Sequence, residues 1–471
     1  MPEQRRRTKI VATLGPASRS PETIRQLIEA GVDVFRLNFS HGTRAEHAEA
    51  IERIRRASAE ADKAVAVLQD LQGPKMRIGA LADHEPIELA SGASLTLVTT
   101  PEIGTCERVS TSYEPLPRDV RPGDDILLDD GRIQLKVVRV KGDEVATEVI
   151  VGGTLSEHKG MNLPHTALSA PCLTEKDRLD LRMGLEAGVD YVALSFVRCA
   201  EDIETLRREA PSIPVIAKIE RVEAIRNLEE IVEAADGVMV ARGDLGVETS
   251  SAEVPLLQKK ILALAGSLAR PDITATEMLQ SMISNPRPTR AEATDVANAV
   301  FDGTDALMLS GETAVGKYPV EAVRVMARIA ATAEPHLKEY GRPGAKAETR
   351  VASAVDRVTA HAACLAAREL GVRGIAVFTR SGRTAFLVSA NRPDAPIVAF
   401  TPYEATCRRL ALAWGVTPKL MPYVESPEEF TAAVDRSVRE SGIAEEGGLV
   451  AIVTGTTDLA GVTNAMRILK V

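Results

Sequence analysis

Apolar residues along the first seventy positions come in short runs separated by amphipathic, charged stretches. Lys9 to Leu14 is a β-branched run. Ser20-Pro21-Glu22 then reads as a helix N-cap with proline in the first turn, and Gly31 ends that helix. Val34 to Phe39 and Val65 to Gln69 are the next two strands, with a charged helical stretch from Thr43 to Ala61 between them. After Gln72 the period changes to two. Ser94 to Thr99 and Ile126 to Val151 alternate, and Asp129-Asp130-Gly131 and Lys141-Gly142-Asp143 supply hairpin turns. From Thr174-Glu175-Lys176-Asp177, which opens a helix ending near Gly188, strand and helix alternate again. Strands are expected at Asp190–Phe196, Pro214–Ile219, Gly237–Ala241, Asp272–Thr276 and Asp305–Leu309.

Three strands before the all-β stretch and five after it make eight. Eight β/α units predict an α/β fold, a (β/α)8 TIM barrel, with an all-β domain inserted after strand three. The barrel takes residues 1–70 and 169–340 and the inserted β-barrel lid takes 71–168. Past Tyr340-Gly341-Arg342-Pro343-Gly344, residues 341–471 read as a doubly wound α/β domain. Its expected strands are Ile375–Thr379, Pro396–Thr401, Lys419–Val424 and Leu449–Gly455.

Composition narrows the function. Lys+Arg of 57 against Asp+Glu of 66 gives a formal net charge of −9, and aromatic residues are 3%. Neither favours nucleic acid, which wants a basic field and stacking platforms. No apolar stretch is long enough for a membrane span, and eight residues before the first strand leave no room for a signal peptide. The expectation is therefore a cytoplasmic protein with no membrane or nucleic-acid partner. Five scattered cysteines, without a Cys-x-x-Cys pair, fit a reducing compartment. Seven histidines lack ligand spacing, so a metal would be a hard ion on carboxylate oxygens.

In such a barrel the C-terminal strand ends carry the chemistry. Arg36, Asn38 and Ser40 lie on one face of strand two, a set suited to phosphate and a cation. Lys218 and Glu220 share a face at the end of strand five, and strand six runs into Arg242-Gly243-Asp244-Leu245-Gly246. Glu220 and Asp244 could hold Mg²⁺ while Lys218 neutralises a transferring phosphoryl group. Asp70, Thr276, Ser310 and Glu312 end strands three, seven and eight. Gly311-Glu312-Thr313-Ala314-Val315-Gly316-Lys317 mimics a phosphate loop, but Tyr318 stands where a small hydroxyl must ligate Mg²⁺.

The motifs KIVATLGP from Lys9, RLNFSHG from Arg36, AKIER from Ala217, MVARGDLGVE from Met239, NPRPTRAEATDVANAV from Asn285 and MLSGET from Met308 resemble pyruvate kinase over essentially the whole length. The resemblance implies Mg²⁺-dependent (or Mn²⁺-dependent) transfer of phosphate from phosphoenolpyruvate to ADP, giving ATP and pyruvate. It implies that Lys218 stabilises the phosphoryl group, Arg36 contacts it, and Glu220 and Asp244 ligate the metal. The N–H groups of Gly243 and Asp244, with the Thr276 hydroxyl, would take the substrate carboxylate. Arg77 and Lys159 would contact nucleotide, the C-terminal domain would be regulatory, and the assembly a homotetramer.

Several positions depart from the family pattern. Asp272 and Glu277 stand where valine and glutamine are usual. The loop Thr379, Arg380, Ser381, Gly382, Arg383, Thr384 leads into a helix and could cradle phosphate. The family often binds an effector there, here expected to be a sugar phosphate or AMP, although Phe386 replaces a frequent arginine. Family members that need K⁺ bind it with oxygens matching Asn38, Ser40, Asp70 and the carbonyl of residue 71, here Leu71. They carry Thr-Lys-Gly-Pro-Glu after the aspartate, where this chain has Leu71-Gln72-Gly73-Pro74-Lys75. Members with this pattern resemble K⁺-independent enzymes, and Lys75 is expected to replace the ion. The competing readings are a barrel aldolase using a metal enolate of a 2-keto acid, and a catalytically inactive regulatory paralogue.

Overall fold

The computed structural model describes residues 6–74, 76–164, 166–341, 354–423, 427–455 and 463–471. Lys75 and the linker positions Arg342, Pro343 and Gly344 lie outside the described residues. Eight parallel strands close into a barrel: β1 (Lys9–Thr13), β2 (Val34–Asn38), β3 (Ala66–Asp70), β4 (Tyr191–Leu194), β5 (Val215–Ile219), β6 (Gly237–Ala241), β7 (Asp272–Ala275) and β8 (Ala306–Leu309). Neighbours in sequence are neighbours in the barrel, and β8 pairs back onto β1 with Lys9 opposite Ala306. The eight expected strands are these eight, shifted at their ends by a residue or two.

Alternation explains why the barrel has a packed interior and a polar mouth. Val34, Leu68, Ala193, Ile216, Met239 and Ile273 meet inside it. Two positions further along, on the same strand faces, come Arg36, Asp70, Ser195 and Lys218. The intervening residues, such as Phe35, Leu37, Val67, Ala217 and Ile219, pack against the surrounding helices. The helix starts follow their sequence signals. Ser20 caps Pro21–Ala30, while Thr43 and Thr174 form capping boxes with Glu46 and Asp177.

The inserted region forms a six-stranded sheet in the order Met161–Asn162, Asp125–Leu128, Ile133–Lys141, Glu144–Val151, Ser94–Val98, Arg108–Ser110. Its two edges are joined through Arg77 and Ile78, which bridge to Gly160 and Thr111, so the sheet curls round on single pairs. A separate ribbon pairs Gly153–Leu155 with Ile87–Leu89. Asp129, Asp130 and Gly131 all take positive φ, the turn geometry their composition suggests.

The C-terminal sheet has five strands: β9 (Gly374–Phe378), β10 (Ile397–Thr401), β11 (Val416–Leu420), β12 (Leu449–Thr454) and β13 (Ala465–Lys470), in the order β11-β10-β9-β12-β13. Two expectations need correction. The strand read at Lys419–Val424 begins three residues earlier, because Pro418 breaks the apparent pattern yet is tolerated on an edge strand. The antiparallel strand β13 was not anticipated. Its residues are half-buried or exposed on both faces, so no period of two appears in the sequence.

This C-terminal unit also plugs the barrel floor. Ala411 and Leu412, from the turn Leu410–Leu412, join the interior barrel cluster. The Tyr191 hydroxyl donates to the Arg409 carbonyl at 2.8 Å.

Asp272 sits at this floor, at the opposite end of β7 from Thr276. Its Oδ1 accepts from Thr304 Oγ1 and from the Asp305 N–H, each at 2.9 Å. Arg392, from the C-terminal unit, pairs with Asp305 at 2.7 Å. Burial, reinforced by the charge of Asp305, pushes the Asp272 carboxyl well above the usual carboxylate range. Unfolded, the group would ionise near pH 4, at about 3.9. The folded state therefore binds more protons above that pH, and this contribution to stability is lost as pH rises toward the folded pKa. Asp272→Asn cannot titrate and keeps the acceptor oxygen. The melting-temperature difference, variant minus wild type, is expected to grow in the variant's favour from about pH 5 to about pH 8. A difference constant with pH would show that Asp272 is ionised in the fold.

Candidate active site

The barrel mouth gathers side chains from several strand ends. Arg36 Nε donates to Asp70 Oδ2 at 2.6 Å, and Arg36 Nη1 donates to Thr13 Oγ1 at 3.1 Å. Lys218 Nζ lies 3.2 Å from Glu220 Oε2 and 3.5 Å from Asp70 Oδ1, and donates to Ser195 Oγ at 2.7 Å. Ser195 Oγ in turn donates to the Leu71 carbonyl at 2.8 Å. Arg36, Asp70, Lys218 and Glu220, singled out from different motifs, thus form one buried ion cluster.

Burial acts to lower the Lys218 pKa, but Asp70, Glu220 and Asp244 outweigh it and hold the ammonium charged well above its ordinary value. A lysine held charged in this way is suited to electrostatic pairing and not to accepting a proton. Burial also raises the Asp70 carboxyl, but Lys218 and Arg36 win and keep it below its ordinary value. Glu220 goes the other way. Burial, opposed by Lys218 and aided by Asp244, pushes it up to about 7.

Glu220 Oε1 accepts the Phe196 N–H at 2.6 Å, whereas buried Oε2 has, among the described residues, the ion pair with Lys218 and no hydrogen bond. Two carboxylates that repel each other, one with an under-coordinated oxygen, fit a hard divalent cation. Among the described residues no group of three or more Asp, Glu, His or Cys is arranged to hold a metal, so substrate and water oxygens would complete its shell.

Across the mouth, Gly243 N–H donates to Thr276 Oγ1 at 2.9 Å. Gly243 and Asp244 lie in the first turn of the short helix Arg242–Glu248, where N–H groups lack intrahelical acceptors. Thr276 has φ 68°, an uncommon conformation for a β-branched residue. Arg242 holds it there by donating to the Ala275 and Thr276 carbonyls at 3.0 and 2.6 Å. Glu277, next along, is exposed and also left-handed.

Other expected residues stand apart from this cluster. Glu312 is fully buried and accepts the N–H groups of Leu279 and Ser310, so it ties two loops together, away from any ligand role. Asn38 Oδ1 accepts the Ser40 N–H at 3.1 Å. Arg77 and Lys159 lie on adjacent segments of the inserted sheet. Lys159 pairs with Asp129 at 2.7 Å, and Arg77 donates to the His158 carbonyl. Among the described residues, neither makes a hydrogen bond or ion pair to the barrel mouth.

In the C-terminal loop, Thr379 Oγ1 accepts the Gly382 N–H and Thr384 Oγ1 pairs with Thr463 Oγ1. Arg380 lies over the Tyr423 ring and Arg383 pairs with Asp356. Gly382, at φ 91°, begins the helix Arg383–Ala390 without a side-chain cap.

Ser195, Thr13 and Arg242 were not foreseen. Ser195 had a readable signal, since it continues the interior face of β4 two residues beyond Ala193.

A family model described as pyruvate kinase, barrel domain, matches residues 5–323, and one described as pyruvate kinase, alpha/beta domain, matches 357–469. The pyruvate kinase of Geobacillus stearothermophilus is 46% identical over 98% of this chain and 80% of its own. That of Mycobacterium intracellulare is 45% identical over 99% of this chain and 98% of its own. The crystal structure of a pyruvate kinase from Cryptosporidium parvum superposes with a TM-score of 0.89 at 34% identity, covering 99% of this chain and 96% of that one.

Proposed function

The chain belongs to the pyruvate kinase family and is an enzyme, a phosphotransferase, and on that premise we propose that it transfers phosphate from phosphoenolpyruvate to ADP. The family generally uses a divalent metal; here the metal is Mg²⁺ or Mn²⁺, held by Glu220 and Asp244. When bound, that ion supplies positive charge to the phosphoryl oxygens. The observation that carries the reading is the buried cluster of Lys218, Arg36, Asp70 and Glu220 at the barrel mouth. With Asp244 it holds three carboxylates against two cations. A divalent ion would reverse the net sign and make the mouth attract a phosphorylated carboxylate.

In this reading Lys218 and Arg36 neutralise the transferring phosphoryl group, which needs charge stabilisation more than a nucleophile. The N–H groups of Gly243 and Asp244 and the Thr276 hydroxyl orient the substrate carboxylate. Arg77 and Lys159 bring the nucleotide in as the lid closes, and closure keeps water from competing for the phosphoryl group. The protein works without K⁺, as a cytoplasmic homotetramer with no membrane or nucleic-acid partner.

The test is a coupled assay that reads pyruvate as lactate dehydrogenase reduces it, with phosphoenolpyruvate, ADP and Mg²⁺ supplied. Turnover dependent on all three is expected. Pyruvate release without ADP, or none at all, would refute the proposal.

Regulation follows from the C-terminal loop. Gly382 supplies no side-chain cap, Ser381 Oγ accepts the Arg383 N–H at 3.5 Å, and Arg380 and Arg383 stand around this helix N-terminus, a setting for phosphate. A sugar phosphate or AMP is expected to lower half-saturation for phosphoenolpyruvate and raise the melting temperature. If a panel of these compounds moves neither quantity, the loop is a plain strand-to-helix turn.

A further inference from the structure

The lid touches the barrel through the same short helix that carries Gly243 and Asp244. At its far end stands Glu248, buried, whose Oε1 accepts from Arg221 Nη1 at 2.7 Å. Arg221 is also buried, and its Nη2 donates to the Thr166 carbonyl at 3.0 Å and to Glu223 Oε1 at 3.1 Å. Thr166 belongs to the chain returning from the lid. Burial pushes the Glu248 carboxyl up to about 7, and Asn162, on the lid strand Met161–Asn162, is near enough to oppose that shift. A side chain added at Gly131, in a lid turn, would come within 3.7 Å of Val247 on this helix.

The cluster is incompletely bonded. Among the described residues, the buried atoms Thr166 Oγ1, Arg221 Nε, Glu223 Oε2 and Glu248 Oε2 have no hydrogen-bond partner. Buried polar atoms are rarely left so, and four in one cluster at a domain junction call for a reason. Two acceptor carboxylates and a hydroxyl facing one guanidinium have a second arrangement available, in which these atoms bond one another or Asn162. A lid that swings about Thr166 would change which contacts are made.

We infer that Arg221 and Glu248 are positioning residues that latch the returning chain of the lid, at Asn162 and Thr166, to the helix bearing Gly243 and Asp244. Lid position and the geometry of the substrate end of that helix are thereby linked through a rigid element about two turns long. The latch rests on the proposed reaction only for its kinetic consequences.

The test compares the full chain with Glu248→Gln, Asn162→Ala and the double variant. In ligand-free protein, hydrogen exchange at the amides of Asn162, Leu163 and Thr166 is expected to speed by about fivefold or more in Glu248→Gln, with β1 unchanged. KM for ADP is expected to rise by about fivefold in each single variant, with KM for phosphoenolpyruvate within about twofold. The double variant should be no worse than the worse single one, because the two residues serve one contact. Unchanged exchange at those amides overturns the latch, as does a loss that multiplies in the double variant. A lowered melting temperature with unaltered kinetics would make the cluster merely structural and also overturn it. If Glu248→Gln does not fold, Asn162→Ala, which removes no charge, carries the exchange and KM readouts against the same limits. A wild-type chain that fails to turn over would refute the reaction instead, and the exchange measurement would still decide the latch.

Discussion

Lys218→Met is expected to lower kcat by about three orders of magnitude or more, with KM for phosphoenolpyruvate moving by less than about tenfold. The ammonium sits among Asp70, Glu220 and Asp244, whose combined field outweighs the cost of burial and keeps it charged. Its charge is therefore available where phosphoryl oxygens gain negative charge along the reaction. Preorganised groups aimed at developing charge in a site shielded from water contribute more to the transition state than to the ground state. A loss of about three orders corresponds to roughly 4 kcal/mol of barrier.

Methionine keeps the length and the packing of the alkyl stem, so the measurement isolates the charge. The ligand-free variant should melt lower, because Asp70 and Glu220 lose a cation, but the rise in melting temperature on adding Mg²⁺ with phosphoenolpyruvate should survive, because Arg36, Gly243 and Thr276 remain. A variant retaining more than about a tenth of wild-type kcat has lost under roughly 1.4 kcal/mol, and Lys218 would then not be the phosphoryl partner. A large rise in KM with kcat intact would instead make it a ground-state binding residue.

The barrel was legible because its strands are short, bounded by glycine and proline, and separated by capped helices. Ser20, Thr43 and Thr174 are caps both in the sequence pattern and in the fold. The charged members of the candidate site were legible too, since alternation alone carries Arg36 and Lys218 to the interior face. What was not legible depended on tertiary contact. Glu312 has the rim position and charge of a ligand, yet burial and two backbone donors give it a structural task. Asp272 looked like a disturbance near the site until the fold put it at the floor beside Asp305 and Arg392. No period or motif reveals that Ala411 and Leu412 close the barrel from below, because the plug belongs to a different sheet system. The same holds for Arg221, whose burial in the structure no period or motif reveals.

Turnover is expected to need no K⁺. Of the oxygens that would bind the ion, those of Asp70, Leu71 and Asn38 already have partners. Asp70 Oδ2 accepts from Arg36 at 2.6 Å and Oδ1 lies 3.5 Å from Lys218. The Leu71 carbonyl accepts from Ser195, and Asn38 Oδ1 accepts the Ser40 N–H. Ahead of Lys75 the chain is pinned, since the Gln72 and Gly73 N–H groups both donate to Asp177 Oδ1, at 3.0 and 3.2 Å. Lysine in place of the usual glutamate swings the local charge by two units. An ammonium resembles K⁺ in size and charge, so Lys75 would supply internally what a bound ion supplies elsewhere. It would also repel K⁺, because unit charges about 4 Å apart interact by about 4 kcal/mol at an effective dielectric near 20. Gln72 fits the same scheme, since a second lysine there would add like-charge repulsion. The measurement is kcat in tetramethylammonium chloride with and without KCl at matched ionic strength. More than about tenfold activation by K⁺, worth roughly 1.4 kcal/mol of barrier, overturns the assignment. Lys75→Glu should do the reverse, losing about tenfold or more in K⁺-free buffer and regaining much of it on adding KCl. If that variant stays indifferent to K⁺, the charge at residue 75 does not set the requirement, and the occupied oxygens of Asp70 and Leu71 must exclude the ion by themselves.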